Sequence, residues 1–159
     1  MKKVLLLGGM IIAVLAACSK KESTQENFDH VAQYDKDSVS ITSYLKAKNI
    51  TASHDPRGIF WNIIDSGDQK NKPNQNANVT VEYKGTFLNG TGFDSSKSVS
   101  FDLNRVIPGW TIGMQKIGKG GRIQLFIPSY YAYMQYGQGS VPPNTPLVFD
   151  VKLINLQVK

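Results

Sequence analysis

The most regular pattern in the chain lies in its second half. From Val79 to Leu88, Val79, Val81, Tyr83 and Phe87 alternate with Thr80, Glu82, Lys84 and Thr86. A period of two predicts a strand with one face buried. The same alternation places Ile123, Leu125 and Ile127 on one side of Arg122–Pro128. Leu147, Phe149, Val151 and Leu153 carry it along Leu147–Val158. Two shorter runs, Ile59–Asp65 and Val99–Leu103, bring the expectation to about five strands. Asn89-Gly90 is a tight-turn dipeptide. Between the strands, Pro108–Ile117 changes period. Trp110, Met114 and Ile117 fall at i, i+4 and i+7, one face of a helix. Pro108 suits its first position, where the missing N–H had no partner, and Gly118, Gly120 and Gly121 end it.

Upstream the pattern is looser. Val31, Tyr34, Val39, Ile41, Tyr44 and Leu45 predict an apolar stripe on a helix within residues 28–49. Asp55-Pro56-Arg57-Gly58 is a turn, and the polar stretch Ser66–Asn78 is a loop. Residues 28–58 thus form a helical extension ahead of a domain at residues 59–159. The expected class is α+β: a twisted antiparallel sheet wrapped around one short helix.

The first residues read as an export signal. Lys2 and Lys3 precede an unbroken apolar or small run, Val4–Ala17. That run is shorter than the about 20 residues a membrane-spanning helix needs, and it has the flanks of a signal peptide. Residues 1–17 are therefore expected to be removed. Leu15-Ala16-Ala17-Cys18 resembles the lipobox of bacterial lipoproteins, in which the cysteine is lipidated and becomes the N-terminus. Cys18 is the only cysteine, so no intrachain disulfide can form. Multiple acyl chains on one residue anchor a protein firmly, whereas a single chain does so marginally. Residues 18–27 are polar and form a stalk. Ser19, rather than Asp, after the cysteine favours sorting to the outer membrane by the same resemblance. The expected place is the cell envelope, lipid-anchored and facing the periplasm.

Charge and composition narrow the chemistry. The net charge is +6, but two of those charges are Lys2 and Lys3, and the rest are spread along the chain. Nothing in that distribution marks a nucleic-acid partner. His30 and His54, the two histidines, lie at metal-ligand spacing neither from each other nor from Cys18. No Gly-x-Ser-x-Gly elbow occurs. Gly113–Gly120 nearly spells a phosphate-binding loop, yet Gly120 stands where the hydroxyl residue belongs, and the order is helix, loop, strand. It reads as a turn.

Five motifs remain, in order: Val81-x-Tyr83-x-Gly85, Phe93-Asp94-Ser95-Ser96, Val106-Ile107-Pro108-Gly109-Trp110, Tyr131-Ala132-Tyr133, and Pro142 through Val151. Over about residues 59–158 they resemble the FKBP-type peptidyl-prolyl cis–trans isomerases. The resemblance implies an FKBP-like fold and a proline pocket. Trp110 would be its floor, with Tyr83, Phe93, Val106, Ile107 and Phe149 as walls, and Val99, Phe101 and Val141 completing the surround. Tyr133 would donate a hydrogen bond to a substrate carbonyl, as would the Ile107 N–H. Asp94 would be the pocket carboxylate, oriented by the Tyr83 hydroxyl. The implied partners are Pro-containing polypeptides and the macrolides tacrolimus and rapamycin; no cofactor or metal is implied.

The chain departs from the family pattern in four places. No arginine follows Phe93–Ser96 to pair with Asp94, only Lys97. Val99 replaces an aromatic wall residue. Met134 stands where a glycine usually follows Tyr-Ala-Tyr, and Gln135–Val141 lacks the usual isoleucine pair. Two readings follow: an isomerase assisting the folding of exported proteins, and a weakly active or inactive module that grips proline segments as a chaperone or envelope-complex partner.

Overall fold

The computed structural model describes residues 28–158. Cys18, the signal segment and the stalk lie outside the described residues. The elements in chain order are α1 (His30–Ala47), β1 (Ser53–His54), β2 (Phe60–Asp65), β3 (Asn78–Phe87), β4 (Gly92–Asp102), α2 (Pro108–Met114), β5 (Arg122–Ile127) and β6 (Leu147–Gln157). One-turn 3-10 helices at Leu103–Arg105 and Ser129–Tyr131 lead into α2 and follow β5.

The six strands form one antiparallel sheet in the order β1-β2-β5-β6-β3-β4. The sequence predicted about five strands. The sixth, Ser53–His54, is too short for any alternation to show. β4 begins at Gly92 rather than near Val99. Its first half is polar, and it slips register against β3 between Val81 and Tyr83 and again between Gly85 and Thr86. Bulges of this kind break the period of two, which is why the alternation there was illegible.

Val79, Val81, Ile123, Leu125, Ile127, Leu147, Phe149, Val151 and Leu153 share the inner face and are buried together. α2 closes over them and sets Trp110, Met114 and the nearby Ile117 into the same core. The helix ends at Met114, one turn before the predicted Ile117. A Cβ on Gly109 would stand 2.4 Å from Ile127, and one on Gly113 equally close to Leu125. Glycine at both positions lets the helix lie directly on β5, fixing its height over the sheet.

α1 covers part of the outer face. Asp29 caps it, accepting from the backbone N–H of Val31 and Ala32 at 3.0 and 2.9 Å. At the other end Asn49 takes φ 53°, and Ile50 N–H reaches back to the Leu45 carbonyl at 2.9 Å. Asparagine tolerates that left-handed conformation better than most residues. Ile41 and Leu45 pack on Phe126 and Val148 of the sheet. Val31 and Val39, which the sequence placed in the stripe, are instead exposed, at 71% and 67%. Val39 precedes Ile41 by two residues, which turns it to the far side of the helix. The buried position one turn before Ile41 is held by Asp37, a charged residue the stripe did not include.

Candidate functional site

Between α2 and the sheet edge lies an apolar cleft of about 310 Å³. Trp110, on the first turn of α2, forms its floor and is only 4% exposed. Three rings stand edge-on around the indole: Tyr83 and Phe149 with centroids at 5.3 Å, and Phe101 at 5.8 Å. Aromatic rings favour such edge-to-face contacts because the positive ring edge meets the negative face. β3 supplies Tyr83, β4 Phe101 and β6 Phe149. These are neighbouring strands, with Tyr83 opposite Val151 and Gly85 opposite Phe149.

Tyr83, Asp94, Phe101, Val106, Ile107, Trp110, Tyr133 and Phe149 line this one cleft. Phe93, Val99 and Val141 do not. Phe93 stands behind Phe149, edge-on at 5.5 Å. It fills the space above Gly85, where a Cβ would meet its ring at 2.7 Å. Val99 pairs with Val81 across the hairpin and packs on the core. Val141 is buried in that core, its backbone bridged to Gln138. Arg105 lines the cleft and was missed by the sequence reading. Its one sequence signal was its place immediately before Val106-Ile107.

The polar groups are few. The Tyr83 hydroxyl donates to the Asp94 carboxylate at 2.6 Å, the one hydrogen bond to that carboxylate among the described residues. Lys97, the basic residue nearest in sequence, pairs instead with Glu82 at 2.9 Å on the outer face. Burial, then the hydrogen bond to Asp94, pushes the Tyr83 phenol well above its ordinary range. Burial, then the charge of Asp94, also raises Tyr133. Both phenols therefore stay protonated, and hence donors, throughout the neutral range. The Tyr133 hydroxyl makes no hydrogen bond within the described residues, and the buried Trp110 Nε1–H likewise finds no protein acceptor. The Ile107 carbonyl is taken by Trp110 N–H at 2.9 Å, while its own N–H meets no backbone acceptor there. The Tyr133 hydroxyl and the Ile107 N–H thus stand beside an aromatic floor as donors without protein partners.

A larger open groove, about 460 Å³, lies on the outer face. Four of its charges pair, Lys97 with Glu82 and Arg122 with Asp150 at 2.7 Å, Lys84 and Lys152 line it as well, and Tyr83 is the one ring it shares with the cleft. The Gly113–Gly120 stretch has its amides committed to protein: Gly118 N–H meets the Ser66 carbonyl and Gly120 N–H that of Leu153, both at 2.8 Å. It is a turn and has no cradle of free amides for a phosphate.

A sequence model of the FKBP-type peptidyl-prolyl cis–trans isomerases matches residues 69–154, more than half of the chain, and the chain belongs to that family. It is 39% identical over 118 residues to the FKBP-type isomerase FkpA of Escherichia coli (strain K12), covering 72% of this chain and 43% of that protein. It is 38% identical over 107 residues to the outer membrane protein MIP of Legionella longbeachae, covering 64% of this chain and 46% of that one. The crystal structure of E. coli FkpA superposes with a TM-score of 0.69 at 34% identity, over 79% of this chain and 63% of that one. The chain spans about half the length of the relatives it matches in sequence.

Proposed function

We propose that this chain is a peptidyl-prolyl cis–trans isomerase acting on Pro-containing segments of exported proteins in the bacterial cell envelope. The observation that carries the reading is the aromatic cleft over Trp110 with its unspent donors. An X-Pro bond must cross a barrier of about 18–20 kcal/mol set by amide resonance. Unaided, the exchange takes tens to hundreds of seconds. No covalent step is needed. The cleft would grip the pyrrolidine ring on Trp110 while the preceding carbonyl rotates. A dry apolar slot favours the twisted, less dipolar amide over the planar one. Tyr133 and the Ile107 N–H would hold the substrate carbonyls, and Asp94, tied to Tyr83, would face the rotating bond. An acceleration of ~10⁴ requires only ~5.5 kcal/mol of preferential binding to the twisted state.

Lipidation at Cys18 would hold the domain at the envelope. Support comes from the lipobox resemblance and from the Legionella relative's description as an outer membrane protein. The gripping module without turnover remains the second reading, favoured by an Asp94 with a single partner. The deciding measurement is cis–trans exchange of a short X-Pro peptide by NMR. The wild type should speed it, tacrolimus should inhibit it, and Asp94→Leu should lower it. Binding of the peptide without any faster exchange would replace the enzyme with the gripping module.

A further inference from the structure

The loop that carries Tyr133 is held from an unexpected quarter. Asp37, on α1, is 2% exposed, and so is Ser129, the first residue of the turn after β5. The Ser129 N–H donates to one carboxylate oxygen of Asp37 at 2.7 Å, across 92 residues of sequence. Gln33, one helical turn earlier on α1, donates to the other oxygen at 2.8 Å. The carbonyl of the same Ser129 accepts from Ala132 N–H at 3.0 Å and from Met134 N–H at 2.8 Å, the two residues that flank Tyr133. Gln33 also reaches the Asn144 carbonyl at 3.4 Å, and Asn144 N–H in turn holds the Met134 carbonyl at 2.8 Å. Two hydrogen-bonded routes thus run from one turn of α1 to the peptides on either side of the phenol.

We propose that Asp37 is a positioning residue for catalysis: through Ser129 it fixes the loop that aims the Tyr133 hydroxyl into the cleft. The inference rests on the isomerase reading for its kinetic arm only. An apolar residue at position 37 would continue the stripe of Ile41 and Leu45 and bury as well. A carboxylate there carries a desolvation cost that only its donors offset. In return it makes a charge-assisted hydrogen bond, shorter and more directional than a neutral one. Packing alone would cover the sheet, whereas this bond sets the angle of one loop. α1 is therefore part of the machinery of the cleft, although no residue of it lines the cleft.

The test compares Asp37→Leu with Asp37→Asn in the full chain. Leucine keeps the bulk and removes the acceptor. Asparagine keeps an oxygen for the Ser129 N–H, and Gln33 can turn its own carbonyl toward the new amide, giving up only its longer contact to the Asn144 carbonyl. Asp37→Leu should lower kcat by up to about five-fold, the loss expected when the Tyr133 hydroxyl no longer meets its partner. KM should stay within about twofold, because a bond made chiefly in the twisted state is lost from kcat. The ring resonances of Tyr133 should move while the Trp110 indole N–H resonance does not, and Asp37→Asn should restore both kcat and the Tyr133 resonances. Should Asp37→Leu fail to fold, Ser129→Pro removes the donor instead. Pro128 at ψ 149° is already in the conformation that precedes proline, and a 3-10 turn accepts its φ. A folded variant lacking this bond that keeps wild-type kcat and unmoved Tyr133 resonances overturns the proposal, as does Asp37→Asn losing as much as Asp37→Leu. If the wild type shows no turnover, the isomerase reading falls by itself. The Tyr133 resonances then decide the positioning role alone, supporting it if they move in Asp37→Leu and not in Asp37→Asn, overturning it if they do not.

Discussion

The inner face of the sheet is covered by α2, whose glycines press on β5 and whose Trp110 reaches three aromatic rings. Part of the outer face is covered by α1, where Ile41 and Leu45 meet Phe126 and Val148. The outer contact completes itself: apolar side chains fill one another's space. The inner contact does not. It leaves Trp110 Nε1–H, the Tyr133 hydroxyl and the Ile107 N–H without protein acceptors among the described residues. Of these, the Trp110 Nε1–H is buried as well as unpaired, a state that is costly in a fold that serves only stability. The outer face packs and does nothing more, while the inner face carries both the larger core and the cleft, and Asp37 is the point where the two faces communicate.

Breaking the outer face should give the largest effect. Phe126 is fully buried, and Phe126→Ala should cost about 3–5 kcal/mol of unfolding free energy by urea titration, from lost transfer energy and the cavity left behind. Turnover per folded molecule should change less than about twofold. A larger loss would show that the two faces are not separable. The loop between them gives the next effect. Met134 sits at φ 52°, a left-handed conformation that β-branched residues hardly adopt. Met134→Val should therefore cost about 1–2 kcal/mol, whereas Met134→Gly should not destabilise. Equal melting temperatures for the two variants would argue against that conformation. The smallest change sharpens the inner face. Tyr133→Phe removes one hydroxyl and should lower kcat/KM about five-fold, or about 1 kcal/mol, with unfolding free energy unchanged because that hydroxyl has no partner within the described residues. An unchanged kcat/KM would leave the phenol without a catalytic part.

Which features the sequence disclosed follows from how local their causes are. Trp110 on a proline-started turn, the inward ladder of β6 and the glycines after α2 rest on neighbours within a few residues, and all were legible. The family's glycine after Tyr-Ala-Tyr now has a physical account, since this chain places Met134 at a positive φ there. The polar half of β4 was hidden because edge bulges erase alternation. Asp37 was hidden for a different reason. A lone acid on a helix looks solvated, and its distant partner, the Ser129 N–H, is a backbone group with no signature in a sequence. Arg105 reached the cleft through the turn it occupies, again a matter of backbone path.

The order of strands has a consequence for how the molecule comes to exist. β6 lies at the middle of the sheet, between β5 and β3, yet it is made after every other strand. Until Leu147–Gln157 has arrived, β1-β2-β5 and β3-β4 are two ribbons with no seam, and each shows an open edge where β6 will pair. The sheet therefore cannot close progressively behind an emerging chain. It must wait, with both edges exposed to strand-hungry neighbours, for its last strand to bring distant segments together. A protein proposed to hasten the folding of others would itself need protection during that interval, and a chain cut short before Leu147 would have two partial sheets and no Phe149 ring beside Trp110.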